Sequence, residues 1–157
     1  MKPFQLSMNK VLKLNNVLIV RVNITEENKD CGKLALQMEN YIKSKGAMPI
    51  GPLIQKTSYC IDGDGQLDIQ IYIMRQANSF IHNVETPYKM ESLVRVPNCI
   101  YVRYIGPEEK LKLAYDKINV TAFEEDIELS NENYTIFVDH QDDNIVTDIF
   151  VEKKANG

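Results

Sequence analysis

The chain has 157 residues, of which 44% are hydrophobic and 25% are charged, and its formal net charge is −4 at pH 7. This composition is typical of an ordinary globular domain and excludes a disordered tail, a collagen-like chain and a coiled coil. Because a duplex-binding surface normally carries an excess of basic residues, the acidic balance argues against nucleic acid as a direct partner.

The sequence also gives no sign of a membrane partner, a cofactor or a metal site. The longest apolar run, residues 17–20, is far shorter than the ~20 residues that span a bilayer. The N-terminus lacks the apolar core of a signal peptide, so we expect a cytoplasmic location. The three cysteines are an odd number without short spacing, which favours free thiols over a disulfide framework or a metal site.

The first half of the chain is predicted to form one strand, one helix and two further strands. Residues 16–22 are a buried apolar run, and residues 53–59 and 67–74 also have the character of strands. The helix lies between the first two strands, with Thr25 as its cap and Gly46 just after its end. Its apolar stripe, at the spacing i, i+4, i+7 and i+8, consists of Leu34, Met38, Tyr41 and Ile42.

The second half repeats this order of elements. Strands are predicted at residues 98–105, 134–138 and 145–152, with a helix between the first two. The apolar face of that helix consists of Leu111, Ala114, Tyr115 and Ile118. Both halves therefore have the order β-α-β-β.

Two pairs of short segments align the two halves. Residues 20–22 match residues 102–104 at an interval of 82, and residues 68–69 match residues 148–149 at an interval of 80. Because the element order, the helix position and both alignments agree, we predict an internal duplication.

The predicted fold is of the α+β class, with two tandem β-α-β-β units related by pseudo-two-fold symmetry. The first unit covers about residues 15–75 and the second about residues 98–153, and the connector covers residues 76–97. We expect a single domain, residues 1–157, in which the strands form one antiparallel sheet with both helices on one face.

Two segments carry motifs of a known family. Residues 101–109 form a strand that ends in Gly106 and Pro107, with acidic residues before a helix. Residues 45–52 form the end of a helix and a Gly-x-x-Pro-x-Gly-Pro entry into the next strand. Both motifs resemble those of the GyrI-like effector-binding family, which consists of SHS2-type duplicated domains of bacteria.

The resemblance implies a function in small-molecule binding. Domains of this family bind effectors in several multidrug-responsive transcription regulators, and they also occur as stand-alone proteins, which is what we expect here. In the family, the sheet face away from the helices forms a groove between the repeats. Aromatic residues line it, a buried carboxylate is present in some members, and flat, often cationic compounds bind there. We therefore expect this chain to bind a small aromatic or amphipathic molecule in such a groove.

Alternation along the last strand of each repeat sorts its side chains into two faces. The side chains expected to pack on the helices are Ile69, Ile71, Ile73, Thr147, Ile149 and Val151. The resemblance implies that the ligand-binding residues of the groove are Tyr72, Asp68, Tyr101, Arg103, Asp148, Phe150 and Glu152. Further aromatic candidates for the wall are Tyr59, Tyr134 and Phe137.

One alternative is a protein-interaction module whose groove is filled by its own side chains. Arg21 and Arg103 occupy equivalent strand positions, from which they can pair with Asp68 or Asp148 across neighbouring strands. Such pairs would neutralise the acidic groups of the groove and argue against cationic ligands.

Another alternative is a hydrolase that uses a groove carboxylate as general base. Family members of this type rely on a glutamate together with an aromatic residue, often Trp. The chain has no Trp, so Glu152 with Phe150 or Tyr72 would be the substitutes. We expect binding rather than catalysis, with no catalytic residue assigned.

Overall fold

The computed structural model describes residues 4–22 and 31–154, which form six strands and two α-helices. The predicted helix cap at Thr25 lies outside the described residues. None of the helices in this part of the chain has both the length and the apolar character needed to cross a membrane. The elements in chain order are β1 (Phe4–Val22), α1 (Cys31–Ser44), β2 (Pro49–Ile61), β3 (Leu67–Ala77), β4 (Tyr88–Gly106), a 3-10 turn (Glu108–Lys110), α2 (Lys112–Glu124), β5 (Leu129–Gln141) and β6 (Asn144–Lys153).

The chain divides into two compact units. The first unit comprises residues 13–95, and the second unit comprises residues 1–12 and 96–157. Because the boundaries fall inside β1 and β4, each of these two long strands contributes residues to both units.

In the first unit, β3 lies between β1 and β2 and pairs with both in antiparallel fashion. Met38 and Ile42 of α1 are fully buried, and Leu34 and Tyr41 pack against the same core, which confirms the predicted apolar stripe. The buried core of the first unit consists of Leu18, Val20, Val22, Met38, Ile42, Ala47, Ile73, Ala77 and Ile81.

In the second unit, β6 lies between β4 and β5, again with antiparallel pairing. Ala114 and Ile118 of α2 are buried, and Tyr115 forms a hydrogen bond of 2.5 Å with Thr135 of β5. The predicted face of this helix is therefore confirmed. The buried core of the second unit consists of Ile100, Val102, Tyr104, Ala114, Ile118, Ala122, Ile145, Ile149 and Val151.

The two 19-residue strands are much longer than the sequence predicted. β1 was predicted at residues 16–22 and β4 at residues 98–105, and each begins 10 or more residues earlier. Within them, Asn16 and Asn98 adopt left-handed backbone conformations, with φ of 51° and 58°. Asparagine tolerates this region better than most residues do. The two positions are 82 residues apart, the interval that aligned the two halves of the sequence.

The predicted open sheet, with both helices on one face and a groove on the other, is wrong. The six strands hydrogen-bond in the closed order β1-β3-β2-β5-β6-β4. The physical reason lies in strand length. β1 and β4 have 19 residues each, so they present more backbone donors and acceptors that need partners than the short strands predicted from the apolar runs. Closure of a sheet satisfies such edge groups, which an open sheet leaves unpaired.

Candidate functional site

Strands β4 and β6 bring four of the predicted site residues together in the second unit. The antiparallel register places Tyr101 opposite Phe150 and Arg103 opposite Asp148. Because side chains alternate along a strand, Val102, which lies between the two β4 residues, points to the core beneath α2. The four side chains therefore share the face of the sheet that points away from α2.

The Asp148 carboxylate accepts three hydrogen bonds. Arg103 donates from Nε to Oδ1 at 2.7 Å and from Nη2 to Oδ2 at 2.9 Å, and Tyr101 donates its hydroxyl to Oδ1 at 2.9 Å. A bidentate arginine–carboxylate pair fixes geometry as well as charge. The side chain of Asp148 is 12% exposed and that of Arg103 is 36% exposed, so the carboxylate is the more buried partner.

These contacts determine the charge of the cluster. The hydrogen bond to Asp148 raises the pKa of the Arg103 guanidinium further above neutrality. Burial, reinforced by the bond to Asp148, raises the pKa of Tyr101 to about 12, so its hydroxyl is a neutral donor at pH 7. Arg103 and Asp148 cancel each other, which confirms the expected pair. Asp148 therefore offers no free negative charge to a cationic ligand.

The same face carries an aromatic cluster. The rings of Tyr101 and Phe150 lie 4.9 Å apart between centroids at an interplanar angle of 45°, within the range of favourable aromatic pairs. Tyr134 of β5 lies opposite Phe150 on the other side of β6, and burial raises the pKa of its hydroxyl to about 12. Lys10 of β1 places its Nζ 5.8 Å from the centre of the Tyr101 ring, at the distance of a cation–π contact.

Glu152 is the acidic residue of this face that keeps its charge available. It lies opposite Cys99 in the register, is half-buried, and forms neither a hydrogen bond nor an ion pair with the described residues. Its charge reaches Cys99, where burial first and Glu152 second raise the pKa of the thiol to about 11. Cys99 is therefore a neutral thiol at pH 7, and no thiolate chemistry accompanies the carboxylate.

The other two predicted site residues, Asp68 and Tyr72, belong to the first unit and form a chain along β3. The Tyr72 hydroxyl donates to Gln70 Oε1 at 3.0 Å, and Gln70 Nε2 donates to Asp68 Oδ2 at 3.3 Å. Arg21 lies opposite Tyr72, whereas Asp68 lies opposite Cys60. A pair between Arg21 and Asp68, one of the pairings that the sequence left open, therefore does not form, because the register separates the two residues along the strands.

Lys10 was not among the predicted site residues. Alternation of Phe4, Leu6 and Met8 was the available signal, and these residues pack on the core of the second unit. No group of three or more potential metal ligands occurs within residues 4–22 and 31–154. The site thus consists of aromatic rings, one compensated ion pair and one uncompensated carboxylate.

Comparison with known proteins gives structural matches only. No family model matches the chain, and no curated protein sequence does. The structure of EcmrR in an EcmrR–DNA complex matches with a TM-score of 0.67 at 16% identity. The match covers 97% of this chain, which spans 59% of the length of EcmrR.

Two further matches are hydrolases from Listeria innocua. The hydrolase encoded by lin2189 has a TM-score of 0.53 and 12% identity, and the match covers 94% of this chain and 92% of the hydrolase. A second structure of a hydrolase from the same organism has a TM-score of 0.54 at 12% identity with the same coverage. At such identities the matches establish a shared fold, which is consistent with a GyrI-like fold.

Proposed function

We propose that this chain is a GyrI-like effector-binding domain that binds a small aromatic molecule on the face of the second unit formed by Tyr101, Phe150 and Glu152. The observation that carries the proposal is the Tyr101–Phe150 ring pair, with centroids 4.9 Å apart, beside a carboxylate that has no basic partner among the described residues. Phe150 is 9% exposed and Tyr101 is half-buried, so the ring of Tyr101 is the part of this pair that a ligand ring can contact.

The charges of the face define which ligands it favours. Asp148 is neutralised by Arg103, so any attraction for a positive group comes from Glu152. Because Lys10 lies 5.8 Å from the Tyr101 ring, one edge of the face is positive while Glu152 is negative. The face therefore suits a neutral aromatic molecule, or one with a single basic group at one end. It does not suit a compact multivalent cation.

Thermal-shift titration with three naphthalene probes tests this proposal: 2-naphthylmethylamine, 2-naphthalenemethanol and 2-naphthoate. At ten times its dissociation constant, a probe that binds only the native state adds about 1.4 kcal/mol to the free energy of unfolding. For a chain of this size that corresponds to a rise in melting temperature of roughly 3–6 °C. We expect a rise with the amine and the alcohol and a smaller rise with the carboxylate.

Matched variants separate the ring from its hydroxyl. Tyr101→Leu removes the ring and should abolish the shift, whereas Tyr101→Phe keeps the ring and should retain it. Phe123→Leu alters an aromatic side chain of α2 that is 85% exposed and should leave the shift unchanged. Glu152→Gln should reduce the shift produced by 2-naphthylmethylamine and leave the shifts produced by the other two probes unchanged. If no probe shifts the melting temperature of the folded protein, the proposal fails and a protein-interaction module becomes the better account.

A second candidate function is hydrolysis, with Glu152 as general base. It is favoured by the uncompensated charge of Glu152 beside aromatic rings, and by the fold shared with two structures of hydrolases from Listeria innocua. Turnover of aryl ester or epoxide probes that is lost in Glu152→Gln, with the native fold kept, would support catalysis. Absence of turnover with intact probe binding would leave the binding function alone.

The expectation that the chain makes no direct contact with nucleic acid has no support from the comparisons, because EcmrR was solved in a DNA complex. This chain spans only 59% of the length of EcmrR, so DNA binding by this chain is a separate proposal that needs its own test. A gel-shift assay with duplex DNA, with and without the bound naphthalene probe, tests it. The acidic net charge of −4 predicts no retardation by the chain alone.

A further inference from the structure

The opposite face of the second unit contains a cavity of about 280 Å³. It lies between the 3-10 turn Glu108–Lys110 and the hairpin of β5 and β6. Thr147 lines it and alternates along β6 with Asp148, so the cavity and the aromatic cluster point to opposite sides of the sheet. Six residues line the cavity: Glu108, Phe137, Asp139, His140, Ile145 and Thr147.

Thr147 carries a buried hydroxyl without a partner. The residue has no exposed surface, and its Oγ1 forms no hydrogen bond with the described residues. Thr135, which is also buried on this side of the sheet, differs because its hydroxyl bonds to Tyr115 at 2.5 Å. Buried side-chain polar atoms without partners are uncommon and call for an explanation. A polar ligand group in the cavity that Thr147 lines supplies one.

The polar rim of the cavity is acidic. Asp139 accepts hydrogen bonds from the His140 backbone at 2.8 Å and from Gln141 Nε2 at 2.9 Å, and each carboxylate oxygen keeps acceptor capacity. The Glu108 side chain forms no hydrogen bond or ion pair with the part of the chain that the structure describes. Two carboxylates therefore face one imidazole, so the rim attracts a positive group and repels an anion.

The remaining wall is apolar. Ile145 is buried, and Phe137 is 38% exposed, so its ring has free surface beside the carboxylates. A volume of about 280 Å³ is just below the range of pockets that hold drug-sized ligands. The cavity thus combines a small apolar surface, two acidic groups and a buried hydroxyl.

We propose that this cavity is a second binding site, for a compact organic amine that carries N–H donors. Its ammonium group pairs with Glu108 and Asp139, and its apolar body packs on Phe137 and Ile145. Because the Thr147 hydroxyl has no exposed surface, the side chains that cover it shift to let an N–H donor reach it. This site uses none of the residues of the aromatic face, so the two proposed sites can be tested independently of each other.

Backbone amide NMR with benzylamine, benzyl alcohol and benzoate as probes tests the proposal. We expect benzylamine to shift the amide signals of residues 137–147 and 108–110 in a saturable manner, with little effect from the alcohol and none from benzoate. Signals around Tyr101 report the aromatic face in the same spectra, so binding at either site is seen independently of the other.

Three variants with one matched control complete the test. Glu108→Gln and Asp139→Asn should each lower the affinity for benzylamine by about tenfold, which corresponds to the loss of one hydrogen bond to a charged group. Glu109→Gln changes the neighbouring acidic residue, which does not line the cavity, and should leave the affinity unchanged. Thr147→Val keeps the side-chain shape, removes the unpaired hydroxyl and should weaken benzylamine without lowering the melting temperature.

Equal shifts from all three probes would overturn the proposal, because the rim would then not select charge. It would also fail if Glu109→Gln weakened benzylamine as much as Glu108→Gln does, or if the benzylamine shifts occurred only around Tyr101. Glu108 and Asp139 are exposed, so their variants are expected to fold and to keep the test decisive even if Thr147→Val does not.

Discussion

The Arg103–Asp148 pair should be one of the strongest polar contributions to the stability of the second unit. Breaking a fully buried ion pair by removing one partner costs about 3–5 kcal/mol. Here Asp148 is 12% exposed while Arg103 is 36% exposed, so an abandoned guanidinium can partly rehydrate and the cost falls. We expect Asp148→Asn to lower the free energy of unfolding by about 2–3 kcal/mol. For a chain of this size, that lowers the melting temperature by roughly 5–10 °C.

The measurement is urea unfolding at pH 7, with Arg103→Met and the double variant Arg103→Met/Asp148→Asn completing a mutant cycle. Because the double variant leaves no charge unpaired, it should cost less than the sum of the single variants, with a coupling of about 1–2 kcal/mol. The matched control is Glu128→Gln, which breaks the pair of Glu128 with Lys154. Those side chains are 75% and 52% exposed, and the expected change is below about 0.5 kcal/mol.

Two results would refute this reasoning. If Asp148→Asn cost no more than Glu128→Gln, burial would not make the pair strong. If the mutant cycle gave no coupling, the stability of the cluster would come from packing rather than from the bidentate contact. An unchanged dependence of the unfolding free energy on urea concentration is needed in each case, because a change there would point to the denatured state instead.

Three further predictions follow from local features. In the folded state the pKa of the Tyr101 hydroxyl is raised to about 12, so the folded protein keeps this hydroxyl protonated at pH values where the unfolded chain, with a pKa near 10, loses the proton. Stability should therefore be full below pH 10 and fall between pH 10 and 12, and Tyr101→Phe should reduce that fall by up to about 2 kcal/mol in alkaline unfolding experiments. Ile149→Ala should cost about 2–5 kcal/mol in urea unfolding because Ile149 is fully buried, whereas a comparable cost for Phe123→Ala would contradict its exposure. Gly46→Ala should cost about 1 kcal/mol because φ is +84° with open space around the added Cβ, and Gly63→Ala, also in open space but without positive φ, should be nearly neutral.

Local pattern predicted the elements of this fold but not their closure. Apolar periodicity placed both helices and found part of every strand, because the side chains that pack on a core repeat with the period of the element. The N-terminal part of β1 was missed because Phe4, Leu6 and Met8 alternate with polar residues in a segment that has no flanking anchor. Closed strand order depends on pairing between distant segments, and backbone hydrogen bonds of that kind leave little trace in the side-chain pattern.

The candidate site was likewise predicted in part, through features that depend on local pattern alone. Alternation within β6 assigned Asp148, Phe150 and Glu152 to one face, since that assignment needs only the parity of positions along a strand. The family resemblance added Tyr101 and Arg103 to the predicted site. The cavity beside the 3-10 turn could not be predicted, because it depends on where that turn meets the β5–β6 hairpin. The unpaired hydroxyl of Thr147 likewise depends on which neighbours lie within hydrogen-bond distance.

Asp148 and Glu152 show why register decides function on this face. Both are acidic residues of β6 with the same parity, and the sequence alone gives them equal standing as a counter-charge. Across β4, Asp148 lies opposite Arg103 whereas Glu152 lies opposite Cys99. The first carboxylate is therefore neutralised within the protein, and the second keeps its charge for a ligand. A cross-strand arginine thus converts a candidate binding group into a structural one. Arg103→Met should return the charge of Asp148 to the face. In the thermal-shift titration, this variant should bind 2-naphthylmethylamine more strongly relative to 2-naphthalenemethanol than the unmodified protein does.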